Sequence, residues 1–177
     1  MLGSLSPAEI EELLHTEVVA RLGCHSKGRT YVVPVTYAYD GSAVLVQSAD
    51  GLKLRMMQEN PWVCVQVDRV ANLANWRSVI AWGRFEELVG DDATAGLVRL
   101  RARLEPLLTS ETTPVAETLA EGETRVRKGN GHASVYRILL LEKTGRFERR
   151  GVSLDANRRP RGTWPRRVLG GSPQRSQ

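Results

Sequence analysis

The stretch Tyr31-Val32-Val33-Pro34-Val35-Thr36-Tyr37-Ala38-Tyr39-Asp40-Gly41-Ser42-Ala43-Val44-Leu45-Val46-Gln47-Ser48-Ala49-Asp50-Gly51-Leu52-Lys53 decides how this chain is read. Two β-rich runs meet at Asp40-Gly41, a dipeptide suited to a tight hairpin turn. Leu52, Met56 and Glu59, with Leu54 and Met57 beside them, then follow helical spacing until Pro61 stops the run. Ser48 and Lys53 flank the start of that helix, where unpaired backbone N–H groups already favour an anion. A hydroxyl, an ammonium and N–H donors in one small volume outline a phosphate site. A lysine near a helix start is also an ordinary solvated residue, so the pattern alone leaves both readings open.

Working outward, Ser6-Pro7-Ala8-Glu9 has capping-box spacing with Pro at the first helical position, and Ile10, Leu13 and Leu14 supply one apolar face. Val18 to Cys24 and Thr30 to Tyr39 read as strands joined by a hairpin loop over residues 25–29, and Ala43 to Ser48 as the third strand. Trp62 to Arg69 alternates, with Val63, Val65 and Val67 on one face, and Trp76 to Val89 is a fifth strand in which Gly83 marks a bulge or bend. Asp91 or Asp92 is positioned to cap a helix striped by Leu97, Leu100, Leu104 and Leu108. Residues 109–132 read as a connection with a helical turn near Val115 to Leu119, and Ala133 to Lys143 as the sixth strand. Hairpin links with few crossover helices favour an antiparallel barrel over a parallel sheet.

At 177 residues and 41% apolar content, the chain fits one domain with an appendage. Its net charge of +5 is unevenly placed. From Gly145 to Gln177 nine arginines face Glu148 and Asp155, giving +7 there and leaving −2 for the rest. The body is therefore nearly neutral, which argues against a nucleic-acid interface on it. We expect a folded domain over residues 1–147 and a basic, disordered tail over 148–177. No apolar run approaches the ~20 residues of a membrane span and no signal peptide is visible, so the expectation is a cytoplasmic protein with no membrane contact. Cys24 and Cys64 read as buried free thiols, and His15, His25 and His132 are too scattered for a metal site.

Trp76-Arg77-Ser78-Val79 offers an aromatic face, a guanidinium and a hydroxyl at the start of the fifth strand, and an Arg fork suits phosphate oxygens. The same Arg could equally pair with Asp68 or Glu86. Trp62 and Trp82 suit core or interface packing better than ligand stacking.

Tyr31 to Tyr37, Gln47-Ser48-Ala49, Gly51-Leu52-Lys53, Glu59-Asn60-Pro61-Trp62-Val63-Cys64, Val67-Asp68 and Trp76-Arg77-Ser78-Val79 together resemble the pyridoxamine 5′-phosphate oxidase-like flavin-binding family, especially its nitroimidazole-resistance-type branch. The resemblance spans Glu17 to Phe147 and implies a mainly β fold with peripheral helices, a six-stranded antiparallel FMN-binding split barrel. It further implies a homodimer with one FMN in each of two interface grooves. Carried over by position, the strand Val33 to Thr36, including Val35, would lie along the isoalloxazine. Ser48 and Lys53 would hold the phosphate with Gln47 beside the ribityl chain, and Arg77 and Ser78 would approach from the fifth strand. Many relatives have His where this chain has Gln47, and the further basic residues that the oxidase proper uses for pyridoxal phosphate are not found. The implied activity is oxidoreduction of a small-molecule substrate through FMN, with no catalytic side chain singled out. Deazaflavin or haem in the same groove, or a flavin-storage or sensing module without turnover, are the alternatives.

Overall fold

The computed structural model describes residues 1–107, 126–128 and 131–150. A short strand β1 (Leu2–Ser4) precedes helix α1 (Pro7–Thr16). The expected capping box closes α1: the Ser6 backbone N–H donates to Glu9 Oε2 at 2.8 Å, and Ser6 Oγ accepts from the Glu9 N–H at 3.4 Å. Ile10, Leu13 and Leu14 are buried beneath it.

Strands β2 (Val19–Ser26) and β3 (Arg29–Thr36) pair antiparallel out to Ser26 and Arg29. Their connection is thus two residues, shorter than the expected 25–29 loop. Lys27 (φ 49°) and Gly28 (φ 75°) both adopt left-handed backbone, the mirror-image turn whose twist matches the flanking strands. The second hairpin forms at Asp40-Gly41 between β4 (Ala38–Tyr39) and β5 (Ala43–Ala49). Helix α2 (Leu52–Glu59) leads into β6 (Trp62–Asn72) and β7 (Asn75–Glu87), and α3 (Gly90–Leu104) runs into a 3-10 turn at Glu105–Leu107. Beyond it come β8 (Val126–Lys128) and the 19-residue β9 (Gly131–Arg149).

The sheet order is β3-β2-β6-β7-β9-β5-β4, all antiparallel, with β1 and β8 also pairing to β9. This is the expected split barrel, with nine strands in place of six. The extra three are short: β1, β8, and β4, which is severed from the Thr30 to Tyr39 run where Tyr37 turns inward to donate its hydroxyl to the Leu14 carbonyl at 2.8 Å. The sixth expected strand extends at both ends, and its last residue, Arg149, lies two positions past the expected domain boundary at 147. Residues 151–177, and so most of the expected tail, lie outside the described residues, as do Leu108 and the Val115 to Leu119 turn.

Inward-facing Leu22, Val46, Val65, Val67, Val79 and Ile138 fill the barrel at 1% exposure or less. Gly83 sits where β7 and β9 shift register, and a Cβ there would lie 2.5 Å from the Leu139 carbonyl oxygen. The bulge expected at Gly83 therefore exists because two backbones approach too closely for any side chain. α3 covers the opposite face of β5 and β9, packing Leu97 with Val135 and Leu100 with Leu45. Its N-cap position is Val89, with no side-chain cap; Asp91 and Asp92 stand two and three positions past the cap, in the first turn, where they favour the dipole instead.

Candidate functional site

β5 changes character along its length. Ala43 to Val46 are buried on both sides, between the barrel interior and α3, and Gln47 and Ser48 then emerge at the end of the barrel. Gly51 occupies the N-cap of α2 without a side-chain hydrogen bond, leaving the N–H groups of the first turn without a side-chain acceptor.

Three polar groups at this end lack partners among the described residues. Lys53 is half-buried and belongs to none of the ion pairs among the described residues, although Lys27 and Lys143 each find a glutamate. Burial pulls its pKa below the ordinary lysine value, opposed by the nearby Cys24 thiol. The Ser48 Oγ and the Tyr136 hydroxyl are buried and accept or donate no hydrogen bond. Tyr136 is fully enclosed, and burial pushes its pKa up to about 12. The Ser48 hydroxyl lies close enough to pull the other way, yet the two groups do not close a hydrogen bond. Burial likewise raises the Cys24 thiol while Lys53 lowers it, so these side chains share one region of the barrel end. A buried hydroxyl without a partner typically costs about 1–3 kcal/mol. Two such hydroxyls beside an uncompensated ammonium form a cradle suited to an anion with several acceptor oxygens.

β3 adds an edge. Among the described residues it pairs only with β2, so alternate N–H and C=O groups along Val33 to Thr36 face away from the strand partners described. Val35 is buried, Val33 is packed against the same core as Tyr136, and Thr36 is exposed.

The remaining expected residues stand elsewhere in a single chain. Gln47 pairs with Val135 and so faces α3, opposite to Ser48, because successive strand residues alternate faces. Arg77 forms an ion pair with Glu12 of α1 at 3.1 Å, in place of Asp68 or Glu86. Ser78 points to the outer face, where its Oγ accepts from Gln66 Nε2 at 3.4 Å. Ser48 is level with Ser134, and Glu87 with Tyr136, whereas Arg77 lies ten residues before Glu87 on β7, roughly 30 Å of extended chain. Arg77 and Ser78 do not reach the Lys53 cradle of their own chain. Tyr136 was missed because its alternation with Ile138 reads as core, and only its unpartnered hydroxyl distinguishes it.

The outer face of β3, β2, β6 and β7 is unusually apolar. Val32, Gly23, Cys64 and Trp82 lie in one cross-strand row, and Trp62 is 60% and Trp82 44% exposed. They surround a concavity of about 400 Å³. These tryptophans are therefore not core residues of the isolated chain. Cys24 and Cys64 are free thiols, the former buried and the latter half-buried. Among the described residues there is no cluster of metal-ligating side chains, and no helix is long and apolar enough to cross a membrane.

The family model for pyridoxamine 5′-phosphate oxidase matches residues 6–146. The chain belongs to the pyridoxamine 5′-phosphate oxidase family. Within this family it is similar to a solved FAD-binding protein of Mesorhizobium loti, at 30% identity and a TM-score of 0.62 over 83% of this chain and 98% of that one. A FAD-binding protein of Mycobacterium smegmatis shares the fold at 21% identity and a TM-score of 0.54, over 82% of this chain and 97% of that one. A FAD- and haem-binding protein of the same organism shares it at 18% identity and 0.59, over 83% and 73%. An uncharacterized protein of Rhizobium meliloti (strain 1021) is 34% identical over 84 residues, 48% of this chain. The matched part spans only 56% of that relative's length.

Proposed function

We propose that this member of the pyridoxamine 5′-phosphate oxidase family is a flavoprotein that holds an FMN unit and carries out oxidoreduction of a small-molecule substrate. The observation that carries the reading is the half-buried Lys53, without an anionic partner among the described residues, beside the orphaned Ser48 and Tyr136 hydroxyls. Lys53 and Ser48 would hold the phosphate, and the free edge of β3 at Val33, Val35 and Thr36 would present backbone donors and acceptors to the polar side of the ring. When bound, the flavin supplies the hydride or electron transfer. The chain's own part is to orient the ring, keep water from its buried face and neutralise the phosphate.

A second copy of the chain completes this reading. The exposed apolar row at Val32, Cys64 and Trp82 is the kind of surface that a dimer covers. Arg77 and Ser78, which cannot reach the cradle of their own chain, would approach a flavin from the partner subunit. Sedimentation at micromolar concentration should then give twice the 19.6 kDa chain mass. A monomer that still binds flavin would contradict the shared groove.

The direct test of cofactor identity is the absorption spectrum of the purified protein, which should be that of a flavin. A deazaflavin or haem spectrum would overturn the reading. Reduction by NADH or NADPH, followed by reoxidation with a quinone or nitroaromatic acceptor, is expected of an oxidoreductase. A flavin that is bound but never reduced would favour storage or sensing.

A further inference from the structure

The hollow in the outer face of the sheet is lined for a ligand. Its volume of about 400 Å³ falls within the range of about 300–1,000 Å³ typical of small-molecule sites. Trp62, Trp82, Val32 and Ile80 form its walls, and among the described residues no carboxylate or ammonium lines it. Its one guanidinium, on Arg21, is taken by Asp68, and Gln66 already donates to the Ser78 hydroxyl. A ligand with a net charge would leave water for apolar walls without a fixed counter-charge, whereas a neutral one meets no such cost.

His25 supplies the polar contact that these walls lack. It was expected in a hairpin loop but stands on β2, where its carbonyl accepts from Asn60 Nδ2 at 2.8 Å. Its ring Nδ1 lies 3.1 Å from the hydroxyl of Thr30, its cross-strand neighbour on β3. These contacts hold the imidazole in place and leave Nε2 without a partner among the described residues. With Nδ1 accepting from Thr30, Nε2–H is the donor that faces a ligand.

The position of the hollow ties it to the proposed ring. Cys24 and His25 are successive residues of β2 on opposite faces, the first turned inward beside Lys53 and the second outward. Val32, in the wall, immediately precedes Val33 at the free edge of β3. The hollow therefore lies across one strand from the cradle and adjoins the edge along which the ring would lie.

We infer that this hollow is the substrate site and takes a neutral, flat aromatic acceptor, stacked on Trp62 or Trp82 and hydrogen-bonded at an edge oxygen by His25 Nε2. Phosphorylated substrates are disfavoured by the missing counter-charge. The inference rests on the flavin reading for the electrons that such an acceptor takes up, whereas binding in the hollow does not depend on it.

The test is calorimetric titration of the full-length protein, as purified, with three probes. They are menadione, methylnaphthalene, which keeps the flat frame without the carbonyls, and pyridoxal 5′-phosphate. Menadione should bind more tightly than pyridoxal 5′-phosphate. Trp82→Ala should weaken menadione and methylnaphthalene alike, by about tenfold. His25→Ala should weaken menadione by about fivefold and leave methylnaphthalene unchanged, and His25→Asn, which keeps a donor, should restore part of the loss. Both side chains face outward, and circular dichroism melting checks that each variant folds, with Trp62→Ala in place of Trp82→Ala if that one does not. Unchanged menadione affinity in the tryptophan variant, or an equal loss of menadione and methylnaphthalene in His25→Ala, would overturn the inference. So would a flavin-bearing protein that binds no menadione, as expected if a partner subunit fills the hollow. Menadione binding to a protein whose absorption spectrum shows no flavin, even after flavin is added, would instead overturn the flavin reading and with it the substrate role.

Discussion

The two ends of the barrel solve the same electrostatic problem differently. At the α1 end, charges are paired: half-buried Arg77 with the exposed Glu12, the exposed Arg69 with half-buried Glu17, and half-buried Lys143 with both Glu11 and the Tyr39 hydroxyl. At the α2 end, Lys53, Ser48 and Tyr136 are comparably or more deeply enclosed and have no such partners among the described residues. Exposed ion pairs contribute little individually, but an uncompensated polar group in a barrel mouth carries a standing cost. Folding alone gives no reason to retain three of them together. A ligand that supplies the missing acceptors does.

The bulge at Gly83 keeps the two ends distinct, because it separates the β7 segment packed against α1 from the segment facing Tyr136. Breaking it should have the largest effect. Gly83→Val drives a side chain into the Leu139 backbone and should destabilise the fold by roughly 3 kcal/mol or more, measured by urea unfolding. Retention of wild-type stability would mean that the bulge is incidental.

Next in size is Glu11→Ala, which leaves Lys143 half-buried with only the Tyr39 hydroxyl and should cost about 1 kcal/mol, reduced by the partial exposure of the pair. At the other end, Tyr136→Phe removes a hydroxyl that bonds to nothing, so the flavin-free protein should be as stable as wild type or more stable by up to about 1 kcal/mol. A clear loss of stability in Tyr136→Phe would show that this hydroxyl is satisfied after all, and the contrast between the ends would fail.

The smallest effects concern pH, and the two ends should titrate in opposite regions. Burial tends to raise the Glu11 carboxyl, but the hydrogen bonds from Lys143 and Tyr39 outweigh it and hold the pKa below the ordinary value. Its contribution is present above the unfolded pKa and is lost as pH falls through the lowered folded pKa. Lys53 is also lowered, chiefly by burial, but it is a cation. The unfolded chain therefore holds the proton more tightly, and flavin-free stability should rise as pH climbs from the lowered value toward that of a free lysine. A bound phosphate should cancel this alkaline gain. Melting temperature against pH, with and without flavin, checks both signs, and an unchanged alkaline limb in Lys53→Met would remove Lys53 as its source.

Much of the fold was legible because local signals agreed with tertiary packing. The Ser6 to Glu9 capping box, the Asp40-Gly41 turn and the Val63, Val65, Val67 alternation each dictate one conformation. β1 and β8 were not, since three-residue strands carry no periodicity, and β4 was hidden because nothing in the Thr30 to Tyr39 run announces that Tyr37 turns inward. At the candidate site, Ser48 and Lys53 were legible from the strand-to-helix junction. The separation of Gln47 from Ser48 follows from strand alternation and could have been read. The distance between Arg77 and Lys53 could not, because it depends on which strands become neighbours and in what register.

The most direct test of the central claim is titration of flavin-free wild type and Lys53→Ala with FMN, followed by flavin fluorescence quenching. The account predicts an intact fold in the variant and affinity weakened by about 10- to 150-fold, the equivalent of about 1.5–3 kcal/mol for a charge-assisted hydrogen bond. Unchanged FMN affinity in Lys53→Ala would contradict it.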